Sequence, residues 1–266
     1  FLKANLDDPS NLSSMKDYLD DPRNIEFQQA VATQFKDLSG LEKELTDAFR
    51  HVKYYFPKIR IPRVYTYISG GDYDYPIRLA DSVLLIAIDC YLGKDYKPYA
   101  TDGIPLYKAE RMIPGQIVPD CMRVMVQTVC QQDPANLTVL EVMTEAGKRI
   151  YLLEAFMPGL SGDLLMKYSK PQYEWAMKNE SHIWAAIIDN RMLYSTEGRN
   201  LRMFMADGPF SSEFSKESAP RLGEWIGLQI IRSYMQENQD ITMQQMIGEK
   251  DAQRILKMSA YKPGKE

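Results

Sequence analysis

Ile117-Val118-Pro119-Asp120-Cys121-Met122-Arg123-Val124-Met125-Val126-Gln127-Thr128-Val129 is the stretch whose reading decides the fold. Wound as an α-helix it is apolar around most of its circumference, which marks a buried, central helix rather than a surface one. Its polar residues are few and ordered. Asp120, Arg123, Gln127 and Gln131 recur at spacings of three and four, so they share one stripe. Such a stripe on a central helix is a candidate cleft wall. The blander account is local, an acid complementing the helix start and an Asp120–Arg123 pair.

Upstream of this helix, residues 1–22 are polar and acidic, with Pro9 and Pro22, and they predict a surface arm with a short helix around Ser14–Leu19. Two amphipathic helices follow, one marked by Ile25, Val31, Phe35 and Leu38, the next by Leu41, Leu45, Phe49, Val52 and Phe56. Pro57 and Pro62 end that run. Arg63–Ser69 is β-branched and aromatic and reads as a strand. Gly70-Gly71-Asp72-Tyr73-Asp74 gives turn chemistry, and 82–91 supplies a second strand, so the pair is expected to form a hairpin with a long connection. Residues 93–114 read as loop. Beyond the central helix, further helices are expected at about 138–146, 161–167, 171–194, 221–238 and 242–258. The fold class is therefore α+β: a 1–22 arm, then one mainly helical domain over 23–266 with a small antiparallel hairpin.

The helix from Arg221 carries Gly223 and Gly227 four residues apart, which permits close approach of another helix; internal packing is the default reading. Glu224 and Arg232 share a side of it, with Trp225 between the glycines. With Asp120, Arg123 and Gln127 they complete the candidate cleft.

Composition limits the chemistry. The 266 residues hold 36 Asp+Glu against 32 Lys+Arg, a net charge of −4, which argues against a nucleic-acid binder. Only two histidines occur, His51 and His182. His51 falls beside its helix's apolar stripe and reads as solvated; His182 is expected to pack on Trp175, seven residues earlier. No His-Glu-x-x-His, Cys-x-x-Cys, Gly-x-Ser-x-Gly, P-loop or dinucleotide fingerprint is present. Ser161 reads as a helix N-cap, not a nucleophile. Cys90, Cys121 and Cys130 read as core thiols; nine residues along a helix would hold the last two about 13 Å apart, beyond disulfide reach. No apolar run approaches the ~20 residues of a membrane span. The 17 Tyr, 9 Phe and 3 Trp beside so many carboxylates leave a carbohydrate-active enzyme open as an alternative.

One resemblance joins these motifs. Ile88-Asp89-Cys90-Tyr91-Leu92-Gly93-Lys94-Asp95-Tyr96, Ile104-Pro105-Leu106-Tyr107, Gly147-Lys148-Arg149-Ile150-Tyr151-Leu152, Trp175, Glu180-Ser181-His182-Ile183-Trp184, Gly208-Pro209-Phe210-Ser211, 223–235 and Tyr261-Lys262-Pro263, in that order, resemble the gliding-motility lipoprotein B family. The likeness runs from about residue 25 to the end. It implies an envelope lipoprotein, anchored through a lipidated cysteine upstream of Phe1, with the 1–22 arm as tether. It further implies a periplasmic or surface-facing domain, other envelope proteins as partners, no cofactor and no enzymatic activity.

That family is also distantly similar to zinc peptidases, which implies a degenerate zincin-like fold with 117–131 in the place of the catalytic helix. There the sequence offers Asp120 and Val124 where a histidine pair is needed, and Met157-Pro158, not a carboxylate, where a downstream acidic ligand is expected. The expectation is a scaffold kept for binding or assembly; the alternative is a hydrolase, a divergent metallopeptidase or a carbohydrate-active enzyme with paired carboxylates.

Overall fold

The structure, a computed structural model, describes residues 8–130 and 137–264. Its first elements are α1 (Pro9–Asp20), α2 (Pro22–Gln34), α3 (Ser39–Tyr55), β1 (Arg63–Tyr67), β2 (Ile77–Ala80) and β3 (Val83–Ala87). Then come α4 (Lys97–Thr101), α5 (Leu106–Ala109), α6 (Ile117–Val129), α7 (Val139–Phe156), α8 (Gly162–Met166) and α9 (Lys170–Lys178). The chain finishes with α10 (Glu180–Asp189), α11 (Gly198–Met205), α12 (Leu222–Glu237), α13 (Met243–Gly248) and α14 (Ala252–Ser259). Helices dominate, with one three-stranded mixed sheet, so the fold class is α+β. The chain divides into two compact units, residues 1–46 with 60–121 and residues 47–59 with 122–266.

In the first unit the sheet order is β1-β3-β2. Strand β2 runs antiparallel to β3 through a tight turn at Asp81, which holds a left-handed φ of 51°. Strand β1 runs parallel to β3, from Arg63 opposite Val83 to Tyr67 opposite Ala87. The expected hairpin between 63–69 and 82–91 is thereby corrected. Parallel strands need a long connection, which residues 68–82 supply, whereas the two-residue link at Asp81 closes a hairpin with β2. The second expected strand also ends early, because the chain tightens into a 3-10 turn over Ile88–Tyr91.

That turn buries Asp89 completely. Its carboxylate accepts the Ser69 N–H and hydroxyl, both at 2.8 Å, and the Gly71 N–H at 3.3 Å. Gly70 and Gly71 hold φ of 73° and 89°, so the Gly-Gly loop can wrap the acid as a β-carbon-bearing pair would not. Of the expected 1–22 arm, residues 1–7 lie outside the described residues; Pro9–Asp20 form a longer helix than expected, α1, and the Tyr18 hydroxyl donates to the Ile68 carbonyl.

In the second unit α7 and α12 cross at backbone contact. A Cβ at Gly227 would stand 1.8 Å from the Met143 carbonyl oxygen, and one at Gly147 2.2 Å from the Gly227 oxygen. The glycine spacing thus serves internal packing, as read. Gly147 also explains why α7 does not stop at 146: there the residue's lack of a side chain is used for the crossing rather than for a break. A capping box, Thr138 with Glu141, starts α7. The expected helix 171–194 is broken at Asn179, whose side-chain amide turns back to donate to the Trp175 carbonyl at 2.8 Å. The expected 242–258 helix is likewise two, because Asp251 caps a new start for α14.

Candidate functional site

Helix α6 carries the sequence-predicted stripe, and the structure sends its members to different neighbours. Asp120 is buried in the first unit, where its Oδ2 accepts the Tyr91 hydroxyl at 3.0 Å. Burial, together with the Asp120 charge, pushes the Tyr91 phenol far above its ordinary range, so this hydroxyl stays a donor. Arg123 lies in the second unit and gives Nη2 to the Leu165 carbonyl at 2.5 Å. Gln127 is exposed. Gln131 lies outside the described residues.

Three of the candidates converge. Arg123, Gln127 and Glu224 line one cavity of about 170 Å3, with Arg149 on α7 completing its polar wall. Val126, Ala146 and Ile150 form the apolar part. The Glu224 charge is already met, because its Oε2 accepts the Arg221 Nε at 3.2 Å. Arg221 itself is fixed by the Met166 carbonyl at 2.7 Å, by Asp207 and by the Tyr168 ring. The cavity wall therefore carries the Arg123 and Arg149 guanidinium groups beside a carboxylate that has its own cation in Arg221.

Trp225 and Arg232 do not join it. Trp225 is buried, and its indole Nε1 donates to Glu180 Oε2 at 3.2 Å. Arg232 clasps Glu154 through Nε at 3.1 Å and Nη2 at 2.5 Å. Both belong to a second cluster around Glu180, whose Oε1 also accepts the Tyr261 hydroxyl at 2.9 Å. Burial raises the Glu180 carboxyl above its ordinary range, against the pull of those two hydrogen bonds and of Arg232.

Sequence reasoning missed Arg149, Asp89 and Glu180. An acid inside the aliphatic run Ile86-Ala87-Ile88-Asp89-Cys90 was a signal for Asp89, since a charge there must be satisfied internally. Nothing comparable marks Arg149. His182 packs on Phe214, ring centroids 6.2 Å apart, rather than on Trp175; Trp175 meets the same Phe214 ring at 6.0 Å. The intervening residue comes from a loop that the helical spacing of 175 and 182 does not encode. Among the described residues no group of three or more His, Cys, Asp or Glu side chains could hold a metal ion.

Of the comparisons with known proteins, one gives a match. A family model described as gliding motility protein GldB matches residues 1–263 of the chain. No curated protein and no solved structure matches it.

Proposed function

The chain belongs to the GldB family of gliding motility proteins, and from that premise we propose that it is a non-catalytic component of the cell envelope that docks a partner protein. The observation that carries this reading is the convergence of Arg123, Gln127, Arg149 and Glu224 on one cavity. At about 170 Å3 it is smaller than the roughly 300–1,000 Å3 of small-molecule pockets. That size suits a single side chain of another protein better than a metabolite. Asp120, the sole carboxylate of α6, is enclosed and donated to by Tyr91, which favours a structural role over chemistry on a substrate. No described helix is long and apolar enough to cross a membrane. Attachment through a lipid fits the family, and it leaves the folded chain free to meet soluble partners at the membrane surface.

Site-specific photocrosslinking tests the docking role. A photoreactive residue at Gln127 is expected to capture one envelope protein in living cells, and Arg149→Glu is expected to abolish that product. The same product in both chains, or none in either, would overturn the assignment.

A further inference from the structure

The second unit holds a larger cavity, about 610 Å3, between α9, α10, α11 and the loop that leads to α12. This volume lies within the small-molecule range. Trp175, His182 and Phe214 supply its aromatic wall. Their rings meet edge to face, at interplanar angles of 73° and 86° to Phe214, so they do not consume each other in a stack.

The polar wall is unspent. Asn179 and Asn190 use their Nδ2 groups on the Trp175 and Ala186 carbonyls, both at 2.8 Å, which leaves each Oδ1 as an acceptor. Arg199, Glu213 and Glu217 line the same cavity, and their side chains make no ion pair or hydrogen bond among the described residues. The loop bearing both glutamates is fixed in advance. The buried Ser218 hydroxyl accepts the Ser211 N–H at 2.9 Å and reaches the Ser211 and Ser215 carbonyls at 3.0 and 2.7 Å.

We propose that this aromatic-walled cavity is a binding site for a neutral saccharide of a few sugar rings. Sugar rings present apolar C–H faces to aromatic side chains, and hydroxyls that both donate and accept at their edges. The wall matches that demand, with carboxylate and amide oxygens as acceptors and a guanidinium as donor. Two unpaired carboxylates disfavour an anionic ligand, and Arg199 disfavours a cationic one.

Titration of the intact chain with maltotriose, cellotriose and mannotriose, followed by calorimetry and tryptophan fluorescence, tests the assignment. Tetramethylammonium chloride serves as the cationic probe. At least one trisaccharide is expected to bind saturably at millimolar concentration. Trp175→Ala is expected to weaken it by about tenfold, the loss of one aromatic contact. Arg199→Ala with Glu213→Gln, both at exposed positions, is expected to weaken it severalfold in a chain that melts like the parent. No binding of any trisaccharide, an affinity untouched by the Arg199/Glu213 pair, or binding of tetramethylammonium in place of the sugars would each overturn the proposal.

Discussion

The Tyr91 hydroxyl and Asp120 Oδ2 meet at 3.0 Å inside the first unit, both residues nearly sealed from water. A residue that looks in sequence like the polar lip of a cleft is therefore a buried acceptor. Removing its donor leaves a carboxylate short of one charge-assisted hydrogen bond, which costs roughly 1.5–3 kcal/mol. Tyr91→Phe, which changes no packing volume of note, is expected to lower the unfolding free energy read from denaturant melts by that amount. A loss under half a kcal/mol would show that the contact contributes nothing net.

The α7–α12 crossing gives a sharper contrast between glycines. A methyl group at Gly227 would overlap the Met143 carbonyl, whereas one at Gly248 meets nothing within 4 Å. Gly227→Ala is expected to destabilise by about 3 kcal/mol or more, since backbone must move to admit it. Gly248→Ala, at the end of α13, is expected to be neutral or to stabilise by up to about 1 kcal/mol through a less flexible unfolded chain. Thermal melts of the two variants side by side decide it.

How much of this was legible in the sequence depends on the range of the interaction. Apolar patterning found α3, α6 and α12, because burial leaves its mark within a single element, as a one-faced stripe in α3 and as a mostly apolar circumference in α6. It did not find β2, whose four residues are too short a run for their alternation to stand out and which pair as a strand against β3. The same limit governs the site. Arg123 and Gln127 share a stripe and line one cavity, but Arg149 joins them from a separate helix, α7, a distance that no spacing rule spans. Trp225 and Arg232 shared a helix with Glu224, and the structure turns them toward Glu180 and Glu154 instead.

Thiol chemistry gives an independent check on the packing. Burial, reinforced by the Asp89 charge, pushes the Cys90 thiol up to about 12, and burial raises Cys121 and Cys130 as well. At neutral pH a thiol at about 12 is ionised to about one part in 10^5, far too little thiolate for alkylation. Cys90 and Cys121 are buried, while Cys130 is half-buried. Iodoacetamide on the native chain is expected to label Cys130 alone, and slowly; all three should label once the chain is unfolded. Fast native labelling of Cys90, read by peptide mass spectrometry, would contradict the packing around Ser69 and Asp89.

The Glu180 cluster makes the fold respond to pH in a stated direction. Burial raises this carboxyl above its ordinary value of 4.5, although Tyr261 and Trp225 donate to it. The folded chain therefore holds the proton more tightly than the unfolded one. The stability this contributes is fully present below the unfolded pKa and is lost as pH rises through the folded pKa. Glu180→Gln removes the titration and keeps one of the two acceptor oxygens, so the lost hydrogen bond is a pH-independent offset between the two chains. Denaturant melts of parent and variant between about pH 4 and about pH 7 isolate the effect. The parent's stability relative to Glu180→Gln is expected to fall steadily across that window. A difference that stays flat, or that grows toward neutral pH, would mean the hydrogen bonds from Tyr261 and Trp225 outweigh burial and hold Glu180 ionised in the fold.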